Sequence, residues 1–457
     1  MKRRAIGILL SLIVGTGAYF GAASLGLAGP PLLTLAAMLF GVTWWAFQVV
    51  PPAYTALLLI LFFIISGTAA PEVVFSYWTG PLAWLMIGAF LIAQAVSESG
   101  LARRIALFLM IHRVRTHTQL VLMIYLLNVI LALIIPLPFP RAFIIMALIR
   151  EVIARSGIPN ATARALGYAV FAASMPASLM FLTSEAVLNP VTAAFAGGIS
   201  WMGWLQMMFL PSLLASTLMA AAHFLVFPGS GDLELPLDHL RAELANMGPV
   251  SGAEIRTTIW TILALVLWMT DSIHGVHAGW ISLGIAIGLA LPWIGDVLGG
   301  EDITGGVDWA ALMFGTGALA LGTVGEQTGL SRWLVSTFVP DLAGNSTVMV
   351  LIIVAIAGYL MHLLFGSVLV TLSMLAPPMV ALAADMGINP MAPAMIILTT
   401  SVLGVALPYH NLMVLVGVGK TGGFDTRETL RFFPALTGVI IVTVAFQIAY
   451  WSLVGAL

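Results

Sequence analysis

Four short stretches place polar or helix-breaking residues inside long apolar segments. They are "PLPFPR" (136–141), "LTSEAVLNP" (182–190), "FGSVLVT" (365–371) and "ALPYHNLM" (406–413). Their side chains include cationic donors suited to anions, and short hydroxyl and amide groups that coordinate small cations through oxygen. The ends of broken helices add free N–H and carbonyl groups for the same purposes. These stretches therefore predict the binding of small ions rather than catalysis of a covalent reaction.

Arg141 is the strongest candidate for an anion ligand, because a guanidinium presents a planar fork to a carboxylate or a sulfonate. The alternative is a structural ion pair with Glu185, which could also hold a cation or take up a proton. His410 suits an anion or a coupling proton, since histidine titrates near neutral pH, or it hydrogen-bonds a neighbouring helix. The predicted substrate ligands are Arg141, Thr183, Ser184, Ser367, His410 and Asn411. The predicted coupling residues are Glu185, Asn189 and Thr371, with sodium expected near Ser184, Ser367 and Asn411.

The composition shows which elements must position these residues. The chain has 457 residues, of which 61% are hydrophobic and 8% are charged, whereas soluble domains carry about 25% charged residues. This predicts an all-α polytopic membrane protein. The absence of cysteine excludes disulfides and thiolate metal sites, and the net charge of −2 gives no nucleic-acid footprint.

The apolar segments predict eleven transmembrane helices, since about 20 residues cross a bilayer. Two blocks, 117–157 and 346–389, are too long for one crossing and are broken near the middle, so we expect re-entrant hairpins. This layout places 15 of the 17 lysines and arginines inside, with the N-terminus cytoplasmic and the C-terminus outside. The predicted crossings are 5–27, 31–50, 52–70, 81–99, 160–198, 203–228, 256–273, 277–295, 307–328, 391–419 and 433–455.

Two pairs of motifs indicate an internal repeat. "ESGLAR" (98–103) parallels "QTGLSR" (327–332), and "SGIPN" (156–160) parallels "MGINP" (386–390), about 230 residues apart in both cases. Equivalent points fall on opposite sides of the predicted membrane, which is typical of inverted-repeat transporters. The predicted organisation is a first span (1–30), repeat 1 (31–228), a cytoplasmic linker (229–256) and repeat 2 (257–457). The split spans are 160–198 in repeat 1 and 391–419 in repeat 2.

The duplicated Gly-Leu-x-Arg motif, the broken blocks and "ALPYHNLMVLVG" resemble the divalent anion–sodium symporter family over about residues 30–455. The resemblance implies a dimeric elevator-type transporter, in which one domain dimerises while another slides. It also implies dicarboxylate, tricarboxylate or sulfate substrates that are usually moved with sodium.

The chain departs from this family at its diagnostic motifs. The family's Ser-Asn-Thr is replaced by Pro138-Phe139-Pro140 in the first hairpin and by Ser367-Val368-Leu369 in the second. A Thr-Pro-Pro-Asn signature is similar to Pro408-Tyr409-His410-Asn411, which keeps the asparagine. These departures put the sodium sites and the usual carboxylate contacts into question.

The predicted function is secondary active transport of small anions, coupled to a cation and performed by an elevator motion. The alternative is a proton-coupled or sodium-independent anion exchanger or exporter. A channel is less favoured because a continuous polar stripe is missing. An intramembrane enzyme is less favoured because the deep polar residues are isolated. No cofactor beyond sodium is expected; the partners are a small anion, the lipid bilayer and a second copy in a homodimer. The expected location is a bacterial inner membrane.

The arginines of "LARRIALFLMIHRVR" (101–115) form a separate basic group. Their spacing among apolar residues predicts an amphipathic helix on the inner membrane surface. Such a helix serves either as a mobile arm or as a plain topology anchor.

Overall fold

The computed structural model describes residues 2–227, 236–338 and 346–457. Within these ranges the chain folds into helices, turns and one isolated bridge between Val418 and Phe424, without a β-strand. Nine of the described helices are long and apolar enough to cross a membrane. The protein is therefore an all-helical, polytopic, integral membrane protein, as the composition predicts.

The helices up to residue 246 are α1 (Lys2–Ser24), α2 (Pro30–Phe47), α3 (Pro52–Ile65), α4 (Pro71–Val74), α5 (Ser76–Thr79), α6 (Pro81–Glu98), α7 (Leu101–Arg113), α8 (His117–Ile134), α9 (Pro138–Arg155), α10 (Asn160–Leu179), α11 (Leu188–Phe195), α12 (Trp201–Val226) and α13 (Leu237–Asn246). The predicted linker, 229–256, thus contains α13 and the first turn of the next helix. Its residues 229–235, like residue 228 at the end of the predicted span 203–228, lie outside the described ranges.

The remaining helices are α14 (Gly252–Met269), α15 (Asp271–His274), α16 (Ala278–Ala290), α17 (Gly300–Gly305), α18 (Trp309–Gln327), α19 (Leu330–Phe338), α20 (Thr347–Phe365), α21 (Val368–Asp385), α22 (Met391–Leu403), α23 (Leu412–Gly417) and α24 (Thr426–Leu453). A short 3-10 turn, Pro408–His410, precedes α23. Three of the nine long apolar helices, α8, α20 and α21, belong to the two broken blocks.

Two helices are shorter than the spans predicted for them. α3 ends at Ile65 within the predicted 52–70, because Gly67 follows with a φ of 69° that an α-helix does not allow. α16 ends at Ala290 within 277–295, because Pro292 cannot continue the helix. The helix ends at these points, although apolar residues continue in the sequence beyond Ile65 and beyond Ala290.

The paired motifs fold in the same way in both places. α6 and α18 each end just before a left-handed glycine, Gly100 (φ 79°) and Gly329 (φ 82°), after which α7 and α19 begin at the leucine of Gly-Leu-x-Arg. Gly157 (φ 59°) and Gly387 (φ 70°) likewise separate α9 from α10 and α21 from α22. Only glycine adopts this conformation without strain, so the motif glycines set where the chain turns.

The helices pack into two groups that meet along a shared face. The site bundle consists of α8–α12 and α20–α24, in which α12 packs on α24 and α22 packs on both α20 and α21. The flanking bundle consists of α1–α6 and α14–α18, in which α6 packs on α16 and α3 packs on α18. α18 contacts α21 and α11 across the boundary. All four polar breaks lie in the site bundle.

Candidate functional site

The first half of the site surrounds Arg141, which lies in the first turn of α9 and is fully buried. Its Nη1 donates to the carbonyl oxygens of Ile135 at 2.9 Å and Ser184 at 2.7 Å, and its Nη2 donates to Ser178 Oγ at 3.0 Å. Pro138 and Pro140 have no N–H, so the helix start itself offers few donors. The guanidinium therefore lies in a cage of protein oxygens.

The break between α10 and α11 is held closed by two short polar side chains. Ser184 Oγ lies 2.7 Å from the carbonyl oxygen of Ser178 and 2.8 Å from that of Phe181. Asn189 Nδ2 donates to the same two carbonyls at 2.8 and 2.9 Å, while its buried Oδ1 has no hydrogen-bond partner. Ala186 N donates to Pro136 O at 3.1 Å and so joins this break to the turn before α9.

Glu185 lies in this break and is buried without forming an ion pair with Arg141, the partner considered for it. No nitrogen–oxygen pair between these two described side chains lies within 4.0 Å. Its Oε2 instead accepts from the N–H of Leu188, the first residue of α11. A carboxylate at that position offsets the unsatisfied donors and the positive dipole of a helix start.

Thr183 connects the first break to the flanking bundle. Its Oγ1 accepts from Trp201 Nε1 at 3.1 Å, and Trp201 N donates to Asp271 Oδ2 at 2.5 Å. The Trp201 ring stacks between Phe181 and Trp268, at centroid distances of 5.9 and 6.5 Å. Thr183 thus has a buried protein partner, as Arg141 and Ser184 have.

The second half of the site begins at the turn between α20 and α21. Gly366 is left-handed (φ 66°), and Ser367 caps α21 by accepting from Val370 N at 3.4 Å. Thr371 Oγ1 donates to Ser367 O at 3.0 Å. A Cβ at Gly366 would lie 2.9 Å from the Tyr409 ring. This turn is therefore in direct contact with the break in the second split span (residues 406–413), which we call the second broken span.

The second broken span presents His410 and Asn411. Asn411 caps α23, with Oδ1 accepting from Met413 N at 2.9 Å and Nδ2 donating to Val402 O at 3.2 Å. His410 Nδ1 accepts from the N–H groups of Ala406 and Leu407 at 3.1 and 3.3 Å. These two donors assign the proton of the neutral ring to Nε2, which is buried and has no partner in the described protein.

His362, in the last turn of α20, is a residue that the sequence reasoning missed. Its ring lies 5.8 Å from that of His410 and is fully buried, with the backbone of Ser367 and His410 beside it but outside strict hydrogen-bond geometry. The unmatched Nε2–H of His410 therefore lies close to a second buried imidazole and to the turn at Ser367. The available signal was the histidine's position five residues before the serine, inside an otherwise apolar arm.

The two halves belong to one packed assembly, because α10 contacts α22 and α23, and α11 contacts α21 and α22. A cavity of about 440 Å³ opens between α18 and the outer turns of α11 and α21, lined by Thr323, Glu326 and Pro377 among others. None of the nine predicted site residues lines that cavity. Buried polar atoms without a hydrogen-bond partner in the described protein lie in both halves, Arg141 Nε and Asn189 Oδ1 in the first and His410 Nε2 in the second, and none of these residues lines the cavity.

Helices of spanning length, broken at four points where buried polar groups collect, define a polytopic integral membrane protein with polar groups in its interior. The chain belongs to the sodium:sulfate symporter family, since the model of the "Sodium:sulfate symporter transmembrane region" matches residues 2–457. This confirms the resemblance to divalent anion–sodium symporters.

The chain is about one quarter identical to several curated relatives over the aligned residues. The L-tartrate/succinate antiporter of Escherichia coli K12 is 27% identical over 329 residues, which cover 68% of this chain and 66% of the antiporter, just under two thirds of its length. The Shigella boydii serotype 4 antiporter of the same name is also 27% identical, over 327 residues that cover 68% of this chain and 65% of the relative. A "Membrane protein" of Cupriavidus necator is 25% identical over 387 residues, or 81% of this chain and 74% of the relative.

Proposed function

We propose that the protein is a secondary active transporter of small anions of the dicarboxylate, tricarboxylate, sulfate or sulfonate type. The observation that carries this proposal is the unmatched Nε2–H of His410 at the second broken span, beside Ser367 and His362. Buried donors without a partner are costly, and a carboxylate or sulfate oxygen would satisfy them. Family membership supports the same class of substrate.

The transport motion that we propose is an elevator, in which the site bundle slides against the flanking bundle. Eleven crossings, two re-entrant hairpins and an inverted repeat would provide it. The support is local: equivalent glycine turns at Gly100 and Gly329, and a break at the tip of each apolar block. A homodimer with a cytoplasmic N-terminus is the assembly we propose, on the distribution of the basic residues and the family pattern.

Sodium-independent exchange is the mode of coupling that the first half favours over sodium symport. Carbonyl oxygens of unwound helices are the groups that coordinate sodium in such transporters. Here the carbonyls of Ile135 and Ser184, with Ser178 Oγ, receive the Arg141 guanidinium instead. We propose that Arg141 is a built-in cation where a sodium ion was expected near Ser184, and that substrate contacts fall to the second half. Two relatives named as antiporters agree with exchange.

Counterflow into proteoliposomes tests the proposal. Liposomes loaded with unlabelled succinate are placed in labelled succinate, tartrate or sulfate, in sodium or choline buffer, with and without a proton gradient. We expect internal dicarboxylate to stimulate uptake at least tenfold in choline buffer. Arg332→Gln, an exposed arginine outside the site, serves as the matched control and should behave as the parent. Uptake that requires an inward sodium gradient would overturn exchange, and no uptake of any anion would overturn the transport proposal.

A further inference from the structure

A groove of about 700 Å³ runs between α7 and α13, away from the site bundle's breaks. Among the described residues, its lining combines cationic and apolar side chains and includes no carboxylate. α7 is the amphipathic helix predicted from "LARRIALFLMIHRVR", and α13 follows the linker between the repeats. The groove residues that matter for its chemistry are Arg104, Phe108, Leu109, His112, Arg241 and Leu244.

The basic side chains of the groove differ in how many of their hydrogen-bonding groups already have partners within the protein. Arg104 is committed, because its guanidinium pairs with Glu254 at 2.5 Å and donates to carbonyls of residues 247–249. Arg241 is 57% exposed, and its ion-pair partner is the fully exposed Asp238 at 3.3 Å, a weak arrangement in water. His112 is exposed, with Nδ1 on Phe108 O at 2.8 Å. Because the Phe108 carbonyl can only accept, His112 Nδ1 donates to it and Nε2 of the neutral ring is an acceptor, so Arg241 is the groove cation that is available to an anion.

The apolar part of the groove lies directly beside these cations. Phe108 is 52% exposed, and its ring packs against His112 at a centroid distance of 4.2 Å. Leu109 and Leu244 are half-buried next to it. A water-soluble anion would satisfy the cations but would leave this apolar surface uncovered.

We propose that the groove binds an anionic phospholipid, with the headgroup phosphate on Arg241 and an acyl chain over Phe108. Amphipathic basic helices lie in the headgroup region, where each basic residue attracts anionic lipid. α7 leads into the Thr116-capped start of α8 and is tied to the linker region by the Arg103–Glu243 and Arg104–Glu254 pairs. A lipid in the groove would therefore stabilise the joint between the linker and the first broken block. The proposal does not depend on the transported substrate.

The test uses the delipidated full-length protein in detergent, with phosphatidylglycerol or phosphatidylcholine of identical chains added. Retained lipid is counted by native mass spectrometry, and the melting temperature is recorded in parallel. We expect phosphatidylglycerol to bind and stabilise the parent and the control Arg427→Gln, which removes an exposed arginine outside the groove. Arg241→Gln, at an exposed position that folding tolerates, should weaken phosphatidylglycerol binding at least tenfold.

Each alternative result overturns the proposal. Equal binding of phosphatidylcholine would show an apolar groove without charge selection. Equal stabilisation by soluble glycerophosphoglycerol would show a phosphate site that needs no lipid chain. Unchanged binding in Arg241→Gln would remove that arginine from the site. Phe108→Ser, also at an exposed position, provides a second variant, which should weaken phosphatidylglycerol binding without loss of the folded protein.

Discussion

The carboxylate of Asp271 accepts a 2.5 Å hydrogen bond from the backbone N–H of Trp201. Asp271 is the first residue of α15 in the flanking bundle, whereas Trp201 is the first residue of α12 in the site bundle. Trp201 also donates through Nε1 to Thr183 in the first break. One aspartate thus connects the flanking bundle to a broken helix through a single tryptophan.

Asp271→Ala should speed transport or shift its conformational preference while leaving substrate affinity nearly unchanged. The matched control is Ser200→Ala, which removes another acceptor at the start of the same helix, the one that receives Gly203 N at 2.9 Å. Both changes lose a cap, which costs about 1 kcal/mol, but only Asp271 bridges the two bundles. Transport rate and dissociation constant are measured for both. Equal effects on rate would reduce Asp271 to an ordinary cap.

Arg141→Ala should destabilise the protein by about 3–5 kcal/mol, because it leaves two buried carbonyls and one buried serine hydroxyl without their donor. Arg141→Lys should recover only part of the stability, since one ammonium on a linear stem does not match the planar fork. Thermal unfolding in detergent measures both, and added guanidinium should raise the melting temperature of the alanine variant selectively. A stable Arg141→Ala protein that fails to bind anions would return Arg141 to the role of substrate ligand.

The positions of the breaks were predictable from the sequence, whereas the partners inside them were not. Proline and glycine determine where α8, α20 and α22 end, since their backbone limits are local properties. The cage around Arg141 depends on carbonyls of Ile135 and Ser184, which are far apart in the chain and meet only after packing. Backbone oxygens have no sequence signature, so the only protein partner that the sequence could suggest for Arg141 was Glu185, the alternative to an anion, and the described side chains of these two residues form no ion pair.

His362 and the shortened α3 show two further limits of the sequence. A histidine in an apolar arm gains meaning only from the ring it faces, and His410 is 48 positions later in the chain. α3 ends at Ile65 although apolar residues precede and follow the turn, because hydropathy averages over a window while a left-handed glycine acts at one position.

Gly366→Ala should be more destabilising than Gly387→Ala, although both glycines are left-handed. A side chain in that conformation costs about 1 kcal/mol at either position. At Gly366 the new Cβ would also lie 2.9 Å from the Tyr409 ring, whereas nothing lies within 4 Å at Gly387. Urea or thermal unfolding measures the difference, and Tyr409→Ala should reduce it. Equal costs at both positions would mean that the turn and the second broken span are not in tight contact.

His410→Leu should weaken anion binding by about tenfold to a hundredfold, because a hydrogen bond to a charged group contributes about 1.5–3 kcal/mol. In His410→Gln the amide can either accept from the N–H groups of Ala406 and Leu407 or donate at the position that Nε2 occupied. One short amide cannot do both, as the ring does. It should therefore retain only part of the affinity.

His362→Leu, which removes the facing ring, separates a local packing effect from a contribution to the ligand. If His362 shares the anion, losses in the two single variants should not add in the double variant, because both act on one bound group. Tryptophan fluorescence measures the dissociation constants for succinate, tartrate and sulfate. These are compared among the parent, the two single variants and the double variant, which together form a double-mutant cycle. Additive losses would show that the two imidazoles act independently, and unchanged affinity in all three variants would move the anion away from the second broken span.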